Sequence, residues 1–403
     1  MRKSGYADLP LHNGHVPKWL AERMSKIGKG IIEALIIEYG RKEVIRRMSD
    51  PAWFQSLGCV MGMDWHSSGI TTSVMGAHKS SLNPISRELG IFICGGRGKH
   101  SRKTPDELIA ISEKTGLDGN ALVRSSRLTA KVDNTAVQDG FQIYLHSFIL
   151  TEDGDWAVVQ QGMNGDSGYA RRYHWSSDEL ESYVNEPHAF IYGRNRGEIL
   201  NLTASEAEGS RKGILDISSE APDRMISEIR KMRLPAHHDV QGKDVDLKRL
   251  GAVLAVSHEL PTRDFEELLL VQGLGPRTLQ SLALVSEVIY GTPTRFQDPA
   301  RFSFAHGGKD GHPFPVPTKV YDESITTLRT AVEKARLGQS DKLKAIRALS
   351  TAAEKMEKDF VPSGRLDDLI AQERADSWKY GGKTVFGDAK PLIPVQYSLF
   401  SDA

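Results

Sequence analysis

The chain has 403 residues and two cysteines, Cys59 and Cys94. So few thiols exclude a disulfide framework and a four-cysteine zinc site, and they suit a reducing compartment. A charge excess of either sign is also missing, since 52 Lys and Arg balance 52 Asp and Glu. Any affinity for nucleic acid must therefore come from a local patch rather than a global field. Long apolar runs are missing too: no window approaches the roughly 20 residues a membrane span needs, and the basic pair Arg2-Lys3 has no apolar stretch behind it. The expected location is the cytoplasm, with no membrane partner.

What is present divides by composition. Leu20, Met24, Ile27, Ile31, Ile32 and Leu35 recur at helical spacing, and Gly40 ends the run. A short helix is expected after Asp50-Pro51, and another from about Ile70 to Ser80, capped by Ser67 or Ser68. The apolar run 90–94 reads as a buried strand entering a basic glycine-rich loop at 95–100. Thr104 and Glu107, spaced as a capping box, open the next helix. Phe141 to Thr151 and Trp156 to Gly162 flank Asp153-Gly154 as a β-hairpin. Phe190 to Tyr192 and Ile199 to Leu202 suggest a smaller one.

The expected architecture is an α+β N-terminal domain with a small antiparallel sheet (1–205), a connecting segment (206–247), a mainly α-helical domain containing a helix-hairpin-helix (248–377), and a flexible tail (378–403).

Asp264 to Gln272 reads as a short helix, Gly273-Leu274-Gly275 as a turn, and Pro276 to Tyr290 as a second helix opening on its favoured residue. Glycine at 273 and 275 allows backbone angles closed to other residues, so that successive N–H groups point at a phosphate beside the positive end of a helix. Arg277 adds a charge and Thr278 a hydroxyl. The plainer alternative is a turn joining two core helices, since Leu268, Leu269, Leu274, Leu279 and Leu282 pack in either case. The length and register of Gly-Leu-Gly-Pro-Arg-Thr favour the DNA-binding form.

This stretch, the run Asp298 to Pro313, the segment Asp64-Trp65-His66-Ser67-Ser68-Gly69 and the segment Val158 to Asn164 together resemble a family catalogued as domain of unknown function 763. The resemblance spans the chain to roughly Arg347 and implies a prokaryotic, DNA-associated protein without implying a reaction.

Polar residues concentrate between Asp64 and His174. A metal-dependent nuclease needs carboxylates for Mg²⁺ or Mn²⁺ and basic groups to steady phosphate charge. Asp64 and Asp139 are the expected metal ligands, with Asp133 as a further carboxylate. His66, Lys131, His146 and Gln160 complete the expected catalytic set. Tyr144 and His146, two apart on one strand, are expected to share a face. Arg171, Arg172 and Lys309 are expected to grip phosphate with Gly273, Gly275, Arg277 and Thr278. The expected function is therefore a DNA repair or processing enzyme, a metal-dependent nuclease first; the same inventory suits a DNA glycosylase, and a non-catalytic DNA-binding adaptor is the remaining alternative. Neither His237-His238-Asp239 nor the histidines of 306–312 have a zinc-motif spacing. Finally, Gln396-Tyr397-Ser398-Leu399-Phe400 resembles the bacterial sliding-clamp motif, with Gln396 at the rim of a pocket and Leu399 and Phe400 filling it.

Overall fold

The computed structural model describes residues 9–10, 16–63, 68–178, 180–193, 195–231, 247–259, 264–300, 318–358, 375, 383–384 and 387–388. The chain begins with β1 (Leu9–Pro10), α1 (Lys18–Tyr39), α2 (Arg41–Ser49), α3 (Pro51–Val60), α4 (Gly69–Leu82) and α5 (Ser86–Leu89). Next come β2 (Ile91–Arg97), α6 (Thr104–Thr115), α7 (Gly119–Lys131), β3 (Val137–Gln138), β4 (Gln142–Thr151), β5 (Trp156–Asn164) and β6 (Tyr169–Ser176). Then follow β7 (Phe190–Tyr192), β8 (Glu198–Asn201), α8 (Glu208–Ser219), α9 (Pro222–Lys231), α10 (Leu247–Glu259), α11 (Phe265–Leu270) and α12 (Pro276–Tyr290). The remaining elements are β9 (Arg295–Gln297), α13 (Thr318–Lys334), α14 (Gln339–Lys358) and the two-residue pair β10 (Lys383–Thr384) and β11 (Gly387–Asp388).

The structure is thus mixed helix and antiparallel sheet. The main sheet runs β1-β6-β5-β4-β2, with β7 also on β6, and a second sheet runs β3-β8-β9. Strands β4 and β5 form the hairpin that Asp153-Gly154 announces, and helices cover both faces of the main sheet. Successive side chains point to opposite faces of a strand, so Val158 enters one core and Val159 the other. The first core takes its helical share from α6 to α12, the second from α1 to α4 with α13 and α14. Residues 206–247, expected as a connector, include α8 and α9, and the apolar side chains of α10 to α12 join the core built on the N-terminal strands. No helix among the described residues is long and apolar enough to cross a membrane.

Local signals explain the helix ends with two corrections. Asp50 caps α3 through its Oδ1, which accepts from the N–H groups of Ala52 and Trp53 at 2.7 and 3.2 Å. Ser68 makes no such bond to α4, because its own backbone is already helical, at φ −60° and ψ −21°. Thr104 and Glu107 do not form a capping box either. The Thr104 hydroxyl donates to the Ser101 carbonyl, and the Glu107 carboxylate accepts from the Gly95 N–H and the Lys79 ammonium. The expected small hairpin is also corrected: β7 pairs with β6, and β8 with β3 and β9, so the two strands belong to different sheets.

His78 of α4 is fully buried, lies against Gly28 of α1, and has no partner for either ring nitrogen among the described residues. Burial pushes its pKa down to about 4. The unfolded chain binds this proton from about pH 6.5. Stability held by the neutral ring is therefore complete above that pH and is lost as pH falls toward 4, by about 3 kcal/mol at the acid end. His78→Met is expected to flatten the acid limb of a stability profile measured between about pH 7 and 4. A limb as steep as the parent's refutes this account.

Candidate functional site

The α11–α12 hairpin is built by short-range signals. Asp264 caps α11 by accepting the Glu267 N–H at 2.8 Å, and Phe265, Leu268 and Leu269 anchor that helix in the core. The turn needs glycine at one position. Gly273 has φ +90°, a region closed to most side chains. Gly275 differs from expectation: at φ −127° and ψ 179° its backbone is extended and open to any residue. Pro276 then opens α12, whose N-terminus has no side-chain cap.

Two side chains hold this turn from behind. The Lys131 ammonium at the end of α7 donates to the Leu274 carbonyl at 2.5 Å, and the Gln138 amide donates to the Pro276 carbonyl at 2.8 Å. Both peptides are trans, and a trans peptide sets its C=O and N–H on opposite sides. The Gly275 and Arg277 N–H groups therefore point away from α7 and β3. Arg277 is exposed and forms no ion pair among the described residues, whereas Thr278 is buried and presents little of itself to a ligand.

Of the expected catalytic residues, Asp139, His146 and Gln160 lie away from the turn, in buried networks on the first face of the sheet. On the first face, Gln160 donates from Nε2 to Asp133 Oδ2 at 2.5 Å and to the Thr129 carbonyl at 3.2 Å. Its oxygen is thereby turned to His146 Nδ1, 2.8 Å away, which must carry the hydrogen. His146 Nε2 then accepts from the Ser126 hydroxyl at 2.9 Å. Burial pushes His146 down to about 4, in keeping with this neutral tautomer. Trp175 donates to Asp133 Oδ2 at 2.9 Å, and His188 Nε2 meets Oδ1 at 2.5 Å.

A second network on that face pairs Arg171 with Asp139 at 2.8 Å and with Asp298 through both of its Nη atoms, at 3.1 and 2.9 Å. The Tyr173 hydroxyl and the Phe141 N–H complete the coordination of Asp139. Burial works against the Arg171 charge, but the two carboxylates outweigh it and raise its pKa.

On the opposite face, Arg172 donates to His174 Nε2, Gln55 Oε1 and the Pro51 carbonyl, between the rings of Phe54 and Tyr192. With no carboxylate bonded to it among the described residues, burial lowers its pKa to about 10.

These positions correct several expectations. Arg171 and Arg172 have no exposed surface, so in this fold neither can grip phosphate. Lys131 serves the hairpin turn, and Asp139 serves Arg171. Tyr144 and His146 do not share a face, because a bulge between Ile143 and Leu145 inserts one residue. Tyr144 instead meets Gln161, whose amide also donates to the Ser68 carbonyl. Asp64 and His66, together with Lys309, Gln396, Leu399 and Phe400, lie outside the described residues, as do 237–239 and 306–312. Among the described residues no group of three or more His, Cys, Asp or Glu is placed to hold a metal ion.

Sequence reasoning missed His188 altogether. Asp133 orients its ring, Trp175 lies 4.5 Å from it centroid to centroid, and Nδ1 has no hydrogen-bond partner among the described residues. The one local signal was Asn185-Glu186-Pro187-His188, a turn-like run beside a strand.

A family model described as Protein of unknown function (DUF763) matches residues 5–316. No curated protein and no solved structure matches the chain.

Proposed function

The chain belongs to that family, and we propose from its geometry that it binds DNA by a helix-hairpin-helix, holding the phosphate backbone on the turn 273–277. The reading rests on one observation: Lys131 and Gln138 bond the turn's carbonyls on one side, which leaves the Gly275 and Arg277 N–H groups aimed outward at the uncapped start of α12. An N-terminal helix dipole and free N–H groups stabilise an anion there, and the exposed Arg277 adds a full charge. Such a grip is blind to base sequence.

Lys131, Asp139, His146 and Gln160 are engaged in holding the fold, so the proposal is of binding rather than of a reaction. Duplexes of unrelated sequence are expected to bind with equal affinity, and log K is expected to fall linearly with log salt, by about 0.9 per phosphate neutralised. Fluorescence anisotropy across a salt series measures this. Absence of binding at about 50 mM salt, where phosphate contacts are strong, overturns the reading.

A further inference from the structure

Between β2 and α6 the chain reads Arg97-Gly98-Lys99-His100-Ser101-Arg102-Lys103, four cations and one histidine in seven residues of a chain with no net charge. All five of these side chains are exposed, and none forms an ion pair among the described residues. Asp106 is an exposed carboxylate nearby in sequence, while Glu107 is neutralised by Lys79, at 2.8 Å from each of its oxygens.

The segment is also held in shape. Ser101 donates to the Gly98 carbonyl at 2.6 Å and Thr104 to the Ser101 carbonyl at 2.8 Å. Upstream, Gly95 has φ +81°, donates its N–H to Glu107 at 2.7 Å, and lies so close to the His146 carbonyl and the Thr104 hydroxyl that no Cβ fits. Arg97 lies over the Tyr144 ring, 5.9 Å from its centroid. A turn whose backbone is already held presents its cations to a polyanion without the entropic cost of ordering a loose loop.

Its place in the fold matters most. Gly96 pairs with His146, and His146 bonds Ser126 of α7. Five residues further along α7, about 7.5 Å at the helical rise, Lys131 holds the Leu274 carbonyl in the hairpin turn. The basic turn and the hairpin are therefore joined through one strand residue and the last half of one helix. The helical part of that path is a fraction of the helical repeat of a DNA duplex, about 34 Å.

We infer that the turn 98–103 is a second phosphate-contacting site, which takes the same DNA backbone as the hairpin and lengthens the footprint. This inference rests on the DNA-binding reading. Its cations face phosphate through charge alone, so the site discriminates neither base nor strand polarity.

The test uses the full chain carrying Lys99→Ala, Arg102→Ala and Lys103→Ala together. A control removes three exposed cations of α1, through Lys18→Ala, Arg23→Ala and Lys26→Ala; α1 packs in the second core, and α6, into which the turn leads, in the first. Duplex affinity is measured across a salt series, with circular dichroism to establish folding. The first variant is expected to flatten the log K against log salt slope by about 2 to 3, at roughly 0.9 per phosphate, and the α1 control to leave it unchanged. A slope unaltered in the first variant, or lowered equally in the control, overturns the second site. Loss of binding in a hairpin variant such as Arg277→Glu, with the first variant's slope unaltered, leaves the hairpin reading standing alone. Absence of binding by the parent chain defeats both.

Discussion

Replacing Gly275 with aspartate is expected to leave the chain folded while lowering its affinity for duplex DNA about 10- to 100-fold, the worth of one or two charge-assisted hydrogen bonds. The two effects separate because position 275 is the N-cap of α12 and its extended backbone is one that aspartate adopts freely. The new carboxylate would accept the N–H groups of Arg277 or Thr278, which suits the helix and stabilises it by a few tenths of a kcal/mol relative to glycine. The same carboxylate occupies the donors that a phosphate needs and repels the phosphate. Gly275→Asn caps without charge and is expected to fall between the parent and the aspartate variant. Thermal melts with anisotropy titrations read both quantities. An affinity unchanged in Gly275→Asp, with Arg277→Glu equally silent, removes the hairpin from the DNA-binding surface.

Arg171→Met is expected to have the opposite profile: a loss of about 3 to 5 kcal/mol of folding stability, and DNA affinity per folded molecule close to the parent's. The guanidinium is fully buried between Asp139 and Asp298, so its removal strands two carboxylates in the interior. A methionine of similar volume fills space but answers neither charge. Denaturant unfolding measures the loss. Parental stability combined with lost DNA binding would contradict the buried assignment and return Arg171 to the surface.

How much was legible depended on the distance over which each signal acts. The hairpin 264–291 could be bounded because its cap, its turn glycine and its opening proline are all local. Strands β4 and β5 could be paired because Asp153-Gly154 sits between two β-rich runs. The concentration of polar residues between Asp64 and His174 is visible in the sequence, but the partners of its described members are not. One bulged residue at Tyr144 reversed the facing of everything before it, and the alternation of a strand cannot reveal such an insertion. Arg171 and Arg172 looked like a surface pair because adjacent arginines usually are. Their partners, Asp298 and Gln55, lie 127 and 117 residues away in sequence, where no spacing rule reaches. His188 stayed hidden for the same reason, since only the folded chain brings it to Asp133.

The bond from Arg171 to Asp298 has a topological consequence. It shuts a loop of 127 residues, and α8, α9, α10, α11 and α12 all lie on that loop. Strand β9, pairing with β8 just before Asp298, fastens the same end. The turn 273–277, proposed above to take phosphate, therefore lies on a segment fastened to the sheet at both ends, not on an arm hung from a linker. On that proposal, fastening at both ends lowers the conformational freedom the turn gives up when a strand arrives, so more of its contact energy appears as affinity.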